Sequence, residues 1–324
     1  MIFLDQLRRE KIGLFFGTRT SEETNSVAVY EEFARVLSDV GVATVGIDLR
    51  QSNWIWSVSG LTMGLNCCYG HPGEDGSVQG LLDLLGIPYP GSSALSAGIS
   101  VFKDVTKDIL RARGINVPRG LVIEVENLPT LLNEIVPPVI VKSTFEGSSF
   151  NVFLVEEPKD LQQVMRHFSA AHAPLLVEQY LSGTEVTCGV LQRGAGRDDY
   201  EVLPIVAMRS KISKILDAES KQDADRHIVH ELPARLDPEI AADVKHLAFE
   251  AHRALGLDGF SRTDMIIVGN TPYVLEINAF PGMMPDSTFP MLAAAKGLSY
   301  ADLMLEMITT AYYKKGVGHA VRSS

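Results

Sequence analysis

The segment Arg262-Thr263-Asp264 … Glu276-Ile277-Asn278 constrains this chain more than any other. Residues 263–268 (TDMIIV) and 272–277 (PYVLEI) are β-branched and apolar runs on either side of Gly269-Asn270-Thr271, the pattern of a tight hairpin. Folding the chain about residue 270 sets Asp264 opposite Glu276 and Arg262 opposite Asn278, and strand alternation sends all four side chains to one face. Two carboxylates about 4 Å apart repel by roughly 4 kcal/mol at an effective dielectric of about 20, so something positive belongs between them. Asp, Glu and Asn are hard oxygen ligands that suit Mg²⁺ when phosphate oxygens complete its shell. The competing reading is a structural ion pair in which Arg262 neutralises the acids. The hairpin alone leaves both open.

A chain of 324 residues is long enough for two or three lobes with substantial cores. Its apolar fraction of 46% and charged fraction of 21% are those of an ordinary globular protein. No apolar run reaches membrane-spanning length, and the opening MIFLDQLRREK carries charges too early for a secretory leader. Three cysteines, two of them adjacent, give neither a disulfide framework nor metal-type spacing, so a cytoplasmic setting is expected. A formal charge of −11 argues against a nucleic-acid partner. A small anion still fits where lysines, backbone N–H groups or a metal supply local positive field.

Residues 11–98 read as alternating strand and helix: strands at 12–16, 42–47 and 61–68, an amphipathic helix at 27–40, and a helix within 73–85 behind Gly-Glu-Asp-Gly. This βαβ pattern predicts a small parallel sheet. A second lobe is expected from 99 to 182, with helices at 100–113 and 156–170 and strands at 120–123, 138–142, 152–155 and 174–178. The third lobe, 183–324, contains helices at 238–255 and 299–313 and the hairpin. Its charge-rich stretch 209–229 has little periodic apolar content and reads as a mobile functional loop.

Three further segments carry chemistry. In Val141-Lys142-Ser-Thr-Phe-Glu146-Gly147-Ser148-Ser149 a strand runs into a small-residue loop, where a lysine and free backbone N–H groups can clamp a polyphosphate; the Walker spacing is absent. Leu176-Val-Glu178-Gln179-Tyr180-Leu181, followed by Gly183-Thr-Glu185, is an apolar strand ending in acceptors for adenine and ribose, or else a plain crossover with exposed acids. Pro281-Gly282-Met-Met-Pro-Asp-Ser287 offers an open N–H and a serine where a helix begins, either an anion site or an N-capped turn. The eight histidines are scattered and form no ligand set.

Together and in order, Gly73-Glu-Asp-Gly-Ser-Val-Gln-Gly-Leu-Leu-Asp-Leu-Leu-Gly-Ile-Pro-Tyr, Lys142…Glu146-Gly-Ser-Ser and Arg262-Thr-Asp…Leu-Glu276-Ile-Asn278…Pro-Gly282-Met resemble the D-alanine–D-alanine ligases of the ATP-grasp superfamily, over nearly the whole chain. The resemblance implies an α/β (α+β) fold of three lobes, 1–98, 99–182 and 183–324, with ATP held between the second and third and a homodimeric assembly. It implies ATP and two Mg²⁺ ions, with Mn²⁺ as a substitute, and small amino-acid substrates. Lys103 and Lys142 match its phosphate-binding lysines, with Glu146 and Ser149 in the phosphate loop. Glu178, Gln179, Leu181 and Glu185 match its adenosine contacts, and Lys214 its mobile-loop lysine. Asp264, Glu276 and Asn278 match its metal ligands, and Arg262 and the Gly282 amide its oxyanion donors. Ser287 matches a contact to the second substrate's carboxylate, Glu22 the acid holding the first substrate's ammonium, and Ser148 the serine that helps position both.

The substrate pocket departs from the family pattern. Thr24-Asn25-Ser26 stands where the family has Glu-Val-Ser, Tyr69 replaces a histidine, Ile215 falls on a tyrosine, and Phe150-Asn151 replaces Val-Gly. The expected function is an ADP-forming amino-acid ligase working through an acyl phosphate. The alternatives are the same chemistry on another amino-acid or natural-product substrate, such as mycosporine-type assembly, or a non-catalytic ATP-binding relative.

Overall fold

The structure, a computed structural model, describes residues 2–128, 137–145, 151–168, 174–196, 199–210 and 228–321. The sequence-expected residues Glu146, Ser148, Ser149, Lys214 and Ile215 lie outside them, as does Phe150.

The first sheet is parallel, in the order β2 (Thr44–Asp48), β1 (Ile12–Phe16), β3 (Met63–Asn66). Helix α1 (Ile2–Leu7) precedes it, α2 (Glu23–Asp39) forms the β1–β2 crossover, a 3-10 turn at Trp54–Val58 lies between β2 and β3, and α3 (Ser77–Leu85) follows β3. Helix α2 starts four residues earlier than its apolar periodicity suggested, because Glu22 already occupies the N-cap position. Val29, Phe33, Val36 and Leu37 pack inward as their spacing predicts.

The expected helix over 100–113 is instead two: α4 (Ala94–Val101) and α5 (Lys103–Ala112). Phe102 between them is extended at φ −81°, ψ 101°, and the Lys103 N–H leaves the helical ladder to bond the Thr144 carbonyl at 2.7 Å. That break ties the start of α5 to the residue just after β5 in the second sheet. This sheet is antiparallel, ordered β4 (Gly120–Ile123), β7 (Leu175–Gln179), β5 (Val139–Ser143), β6 (Val152–Val155). The helix expected at 156–170 is shorter. A 3-10 turn at Pro158–Asp160 precedes α6 (Leu161–Phe168), with the Asp160 carboxylate taking the Glu156 and Glu157 N–H groups at 2.9 Å each.

The third sheet runs β11 (Ile228–Glu231), β10 (Val206–Ser210), β8 (Thr184–Gln192), β12 (Phe260–Val268), β13 (Thr271–Asn278), with β9 (Tyr200–Val202) also on β8. Strands β8–β11 are not among the elements read from the sequence. Arg209 and Ser210 pair with Val229 and Ile228, so both ends of the expected loop 209–229 are strand; residues 211–227 lie outside the described part. Helix α7 (Pro238–Ala254) packs on this sheet behind an Asp237 cap that accepts from the Glu239 N–H. Helices α8 (Thr288–Ala295) and α9 (Tyr300–Val321) follow.

The cores show how the chain closes on itself. One joins the first sheet and α2 to Phe260, Phe280, Phe289 and the α9 residues Leu303, Met304, Met307 and Ile308. Another joins the third sheet and α7 to Ala97 and Leu110 of α4 and α5. The second sheet has its own core around Leu128, Val141, Leu175 and Phe168. Among the described residues, no helix is long and apolar enough to cross a membrane.

Candidate functional site

Strands β12 and β13 form the expected hairpin, with Arg262 opposite Asn278 and Asp264 opposite Glu276. The route to that register differs from the one read in the sequence. The turn is two residues, Val268 pairing with Thr271, which by itself would offset the far pairs by one. A bulge between Asp264 and Met265 leaves Leu275 unpaired and restores the register where the acids stand. Neighbouring β8 completes the platform: Thr187 lies opposite Asp264 and its hydroxyl donates to Asp264 Oδ1 at 2.7 Å.

Arg262 clamps Asp264 with two bonds, Nε to Oδ1 at 3.0 Å and Nη2 to Oδ2 at 2.7 Å. The ion pair therefore exists in this structure. The same groups remain a fit for a hard cation. Asp264 and Glu276 are opposed, Asn278 is beside them, and the Asn278 Nδ2 is buried without a partner, leaving that amide free to reorient. Among the described residues, no three or more His, Cys, Asp or Glu side chains converge on a metal position, so a cation here would share its shell with oxygens from elsewhere.

A lysine-rich cluster faces this acid-rich strand pair. Lys103 begins α5, and its Nζ stands 3.9 Å from Glu276 Oε2. Lys142 on β5 places Nζ 2.7 Å from Glu178 Oε2 on the neighbouring β7. Lys107, one helical turn after Lys103, donates to Glu178 Oε1. Burial alone would raise the Glu178 carboxyl, but the two ammonium groups hold it below its usual range. Burial also pulls the Lys107 ammonium down, to about 7, against the pull of Glu178 and with help from neighbouring Lys142. Gln179 is exposed at the end of β7, Leu181 is half-buried beyond it, and Glu185 lies on β8 opposite Ile266.

The oxyanion and carboxylate candidates meet after the hairpin. A Cβ on Gly282 would come within 3.0 Å of the Ser287 hydroxyl, so the two are neighbours and only glycine fits unshifted. Ser287 is the N-cap of α8, yet its side chain makes no cap bond. Tyr69 reaches this loop from the first sheet. Its hydroxyl accepts from the Met283 N–H at 2.6 Å, and Tyr300 donates to the Met283 carbonyl at 2.6 Å. Tyr69 thus braces the backbone next to Gly282. Glu22 stands at the head of α2 and accepts from Asn25 Nδ2 at 2.7 Å.

Two residues escaped sequence reading. Thr187 lies on a strand the sequence did not reveal. Glu74 lies in Gly-Glu-Asp-Gly, which reads as the lead-in to a helix and opens one of the family-like blocks, with no site role given to the acid; its Oε2 accepts from the Gly70 N–H at 2.9 Å. The turn is rigid. A Cβ on Gly73 would fall 2.1 Å from the Cys68 carbonyl, and Gly76 sits at φ +87° with Ala94 O 2.2 Å from its missing Cβ. Burial, added to by Glu22, pushes the Glu74 carboxyl up to about 7, while the Gly70 N–H, Arg262 and Lys103 oppose the rise. Glu74 also lines a small cavity of about 30 Å³ with Gln79 and Phe260. An acid pinned between two glycines that admit no side chain was the signal available.

Comparison with known proteins identifies the family. The family described as "D-ala D-ala ligase C-terminus" matches residues 111–309. The D-alanine–D-alanine ligase of Desulforudis audaxviator is 34% identical over 306 residues, 93% of this chain and 98% of the relative. The crystal structure of D-alanine–D-alanine ligase from Bacillus anthracis aligns with a TM-score of 0.82 at 30% identity, covering 95% of this chain and 99% of that one. A structure of the Bacillus anthracis ligase complexed with ATP gives 0.80 at 28% identity over the same shares. The chain belongs to the D-alanine–D-alanine ligase family and is an ATP-dependent, ADP-forming carbon–nitrogen ligase of that type.

Proposed function

We propose that this protein joins two amino acids through an acyl phosphate, with D-alanine the first candidate for both. The observation that carries the reading is the facing of an acid-rich strand pair and a lysine cluster, Glu276 and Lys103 meeting at 3.9 Å. A nucleotide's polyphosphate needs cations on one side and metal-holding oxygens on the other. Lys103 and Lys142 would take phosphate oxygens, with Glu146, Ser149 and Lys214 as further contacts and Glu178, Gln179, Leu181 and Glu185 around the nucleoside. Asp264, Glu276 and Asn278 would hold Mg²⁺, two ions in our reading, which offset charge on the transferring phosphoryl group.

A free carboxylate is a poor electrophile. Its oxygen attacks the γ-phosphorus, ADP leaves, and the acyl phosphate formed has a good leaving group. The neutral amine of the second amino acid then attacks the acyl carbon. Arg262 and the Gly282 N–H donate to the oxyanion that develops, and phosphate departs as the amide forms. Arg262 can donate to that oxygen without leaving Asp264, because the pair uses Nε and Nη2 and the guanidinium carries further N–H donors. Glu22 and Ser148 would orient the first substrate and Ser287 the carboxylate of the second. The part of the expected loop between β10 and β11 would cover the acyl phosphate against water. We also propose three working lobes, 1–98, 99–182 and 183–324, a homodimer and a cytoplasmic setting; the three cysteines are free and buried, in keeping with a reducing compartment.

A second reading, the same chemistry on a different amino-acid pair, is favoured by Tyr69. Its hydroxyl is engaged with Met283 where the family resemblance expects a histidine, which alters the polar groups facing a substrate. Phosphate release from ATP, screened across pairs of D- and L-amino acids and read by mass spectrometry for the joined product, decides between the two. Amino-acid-dependent release with D-alanyl-D-alanine as the main product supports the first, and another dipeptide supports the second. No release across the panel rejects both.

A further inference from the structure

Lys107 has no part in the chemistry above, yet its side chain is only 4% exposed and lies against Glu178, itself 3% exposed. The cluster is a built arrangement. Helix α5 delivers Lys103 and Lys107 on one face, β5 delivers Lys142, and β7 delivers Glu178 between the two lysines Lys107 and Lys142. Each carboxylate oxygen has its own ammonium: Oε1 takes Lys107 and Oε2 takes Lys142 at 2.7 Å. If Lys142 alone faced Glu178, a polyphosphate and the carboxylate would compete for one cation. Whichever lost would leave a buried charge unpaired, the costly way to break an ion pair.

We propose that Lys107 is a positioning residue for nucleotide binding, the resident counter-ion that stays on Glu178 when the phosphates of ATP draw Lys142 away. This rests on the nucleotide role given to Lys142 and Glu178. The swap is self-reinforcing. As the Lys142 ammonium moves off, a like charge leaves the neighbourhood of Lys107, which then holds its own proton and the carboxylate more firmly.

A double-mutant cycle tests it, with ATP KM and kcat measured for the wild type, K107M, E178Q and K107M/E178Q. The expected result is a rise in ATP KM on the order of 10- to 100-fold for K107M, with kcat changed by less than about threefold. In the E178Q background the same substitution should change KM by less than about twofold, because a neutral amide needs no counter-ion. A packing role for Lys107 would carry its penalty into both backgrounds, so equal penalties, or an unchanged KM in K107M, overturn the proposal. Should K107M fail to fold, E178Q against K107M/E178Q still decides, and a roughly tenfold loss there counts against the idea. Lys142→Met separates the two levels. If it leaves ATP KM unchanged, the nucleotide reading itself has failed; if it raises KM while K107M does not, only the role of Lys107 has.

Discussion

The β12–β13 hairpin and the α5–β5–β7 cluster solve opposite electrostatic problems within one cleft. In the hairpin, two acids and an amide have one arginine, and Arg262 uses two donors on Asp264. In the cluster, Lys107 and Lys142 share the single acid Glu178. Left to itself the first region attracts cations and the second anions, and they touch through Lys103 and Glu276. A bare metal or a bare phosphate would satisfy only one side. A metal-carrying polyphosphate satisfies both, and this is the physical content of the nucleotide assignment.

The strongest way to break the comparison is on the acid side. Asp264→Ala should lower turnover by on the order of 100-fold or more in a phosphate-release assay. Unchanged turnover would end the metal assignment. Because the change also removes the partner of half-buried Arg262, thermal denaturation of the ligand-free variant should show a loss of a few degrees that Asp264→Asn partly restores. On the lysine side, Lys142→Met should raise ATP KM on the order of 10- to 100-fold while kcat falls less, since a positional cation contributes mainly to binding.

Where the regions meet, Glu74 supplies a pH signature. Its folded carboxyl titrates near 7, above the ordinary carboxylate value, so the folded state holds a proton that the unfolded chain releases at lower pH. That contribution is complete at acid pH and is lost as pH rises toward 7. The wild type should therefore lose about 2–4 °C more in Tm than Glu74→Gln between pH 4.5 and 7.5. Parallel profiles for the two proteins would remove Glu74 from the site's electrostatics. The smallest effect belongs to a control outside the cleft. Exposed Arg35 on α2 pairs with half-buried Glu32 at 2.6 Å and exposed Asp39 at 2.9 Å, and Arg35→Ala should move Tm by no more than about 1 °C. A larger shift would mean that burial is not what separates the cleft charges from the rest.

How much of this was legible depended on how far apart in the chain the partners are. Hairpin residues 262–278 revealed themselves because strand alternation and a Gly-Asn turn act within 17 residues, although the bulge at Leu275 that keeps the acids in register left no mark in the pattern. The first parallel sheet was readable for the same reason. Strands β8–β11 were not, because Gly-, Arg- and Asp-rich connections break their alternation, and β8 is tied to the hairpin only by pairing with β12, far along the chain. Helix 100–113 read as continuous since nothing local forbids it; the Thr144 carbonyl, from another element, splits it at Phe102.

By itself, then, the sequence determined the βαβ pattern of the first lobe and the hairpin through short-range spacing, and the family through its resemblance to known motifs, which also supplied the residues proposed to handle a nucleotide. Which charge faces which was decided in three dimensions. Lys107 finds Glu178 across 71 positions and Tyr69 finds Met283 across 214, and Glu74 acquires its unusual proton affinity only once Glu22 and the walls of the cleft close around it. Coulomb energies and desolvation depend on distance and burial in space, quantities that a linear spacing does not carry.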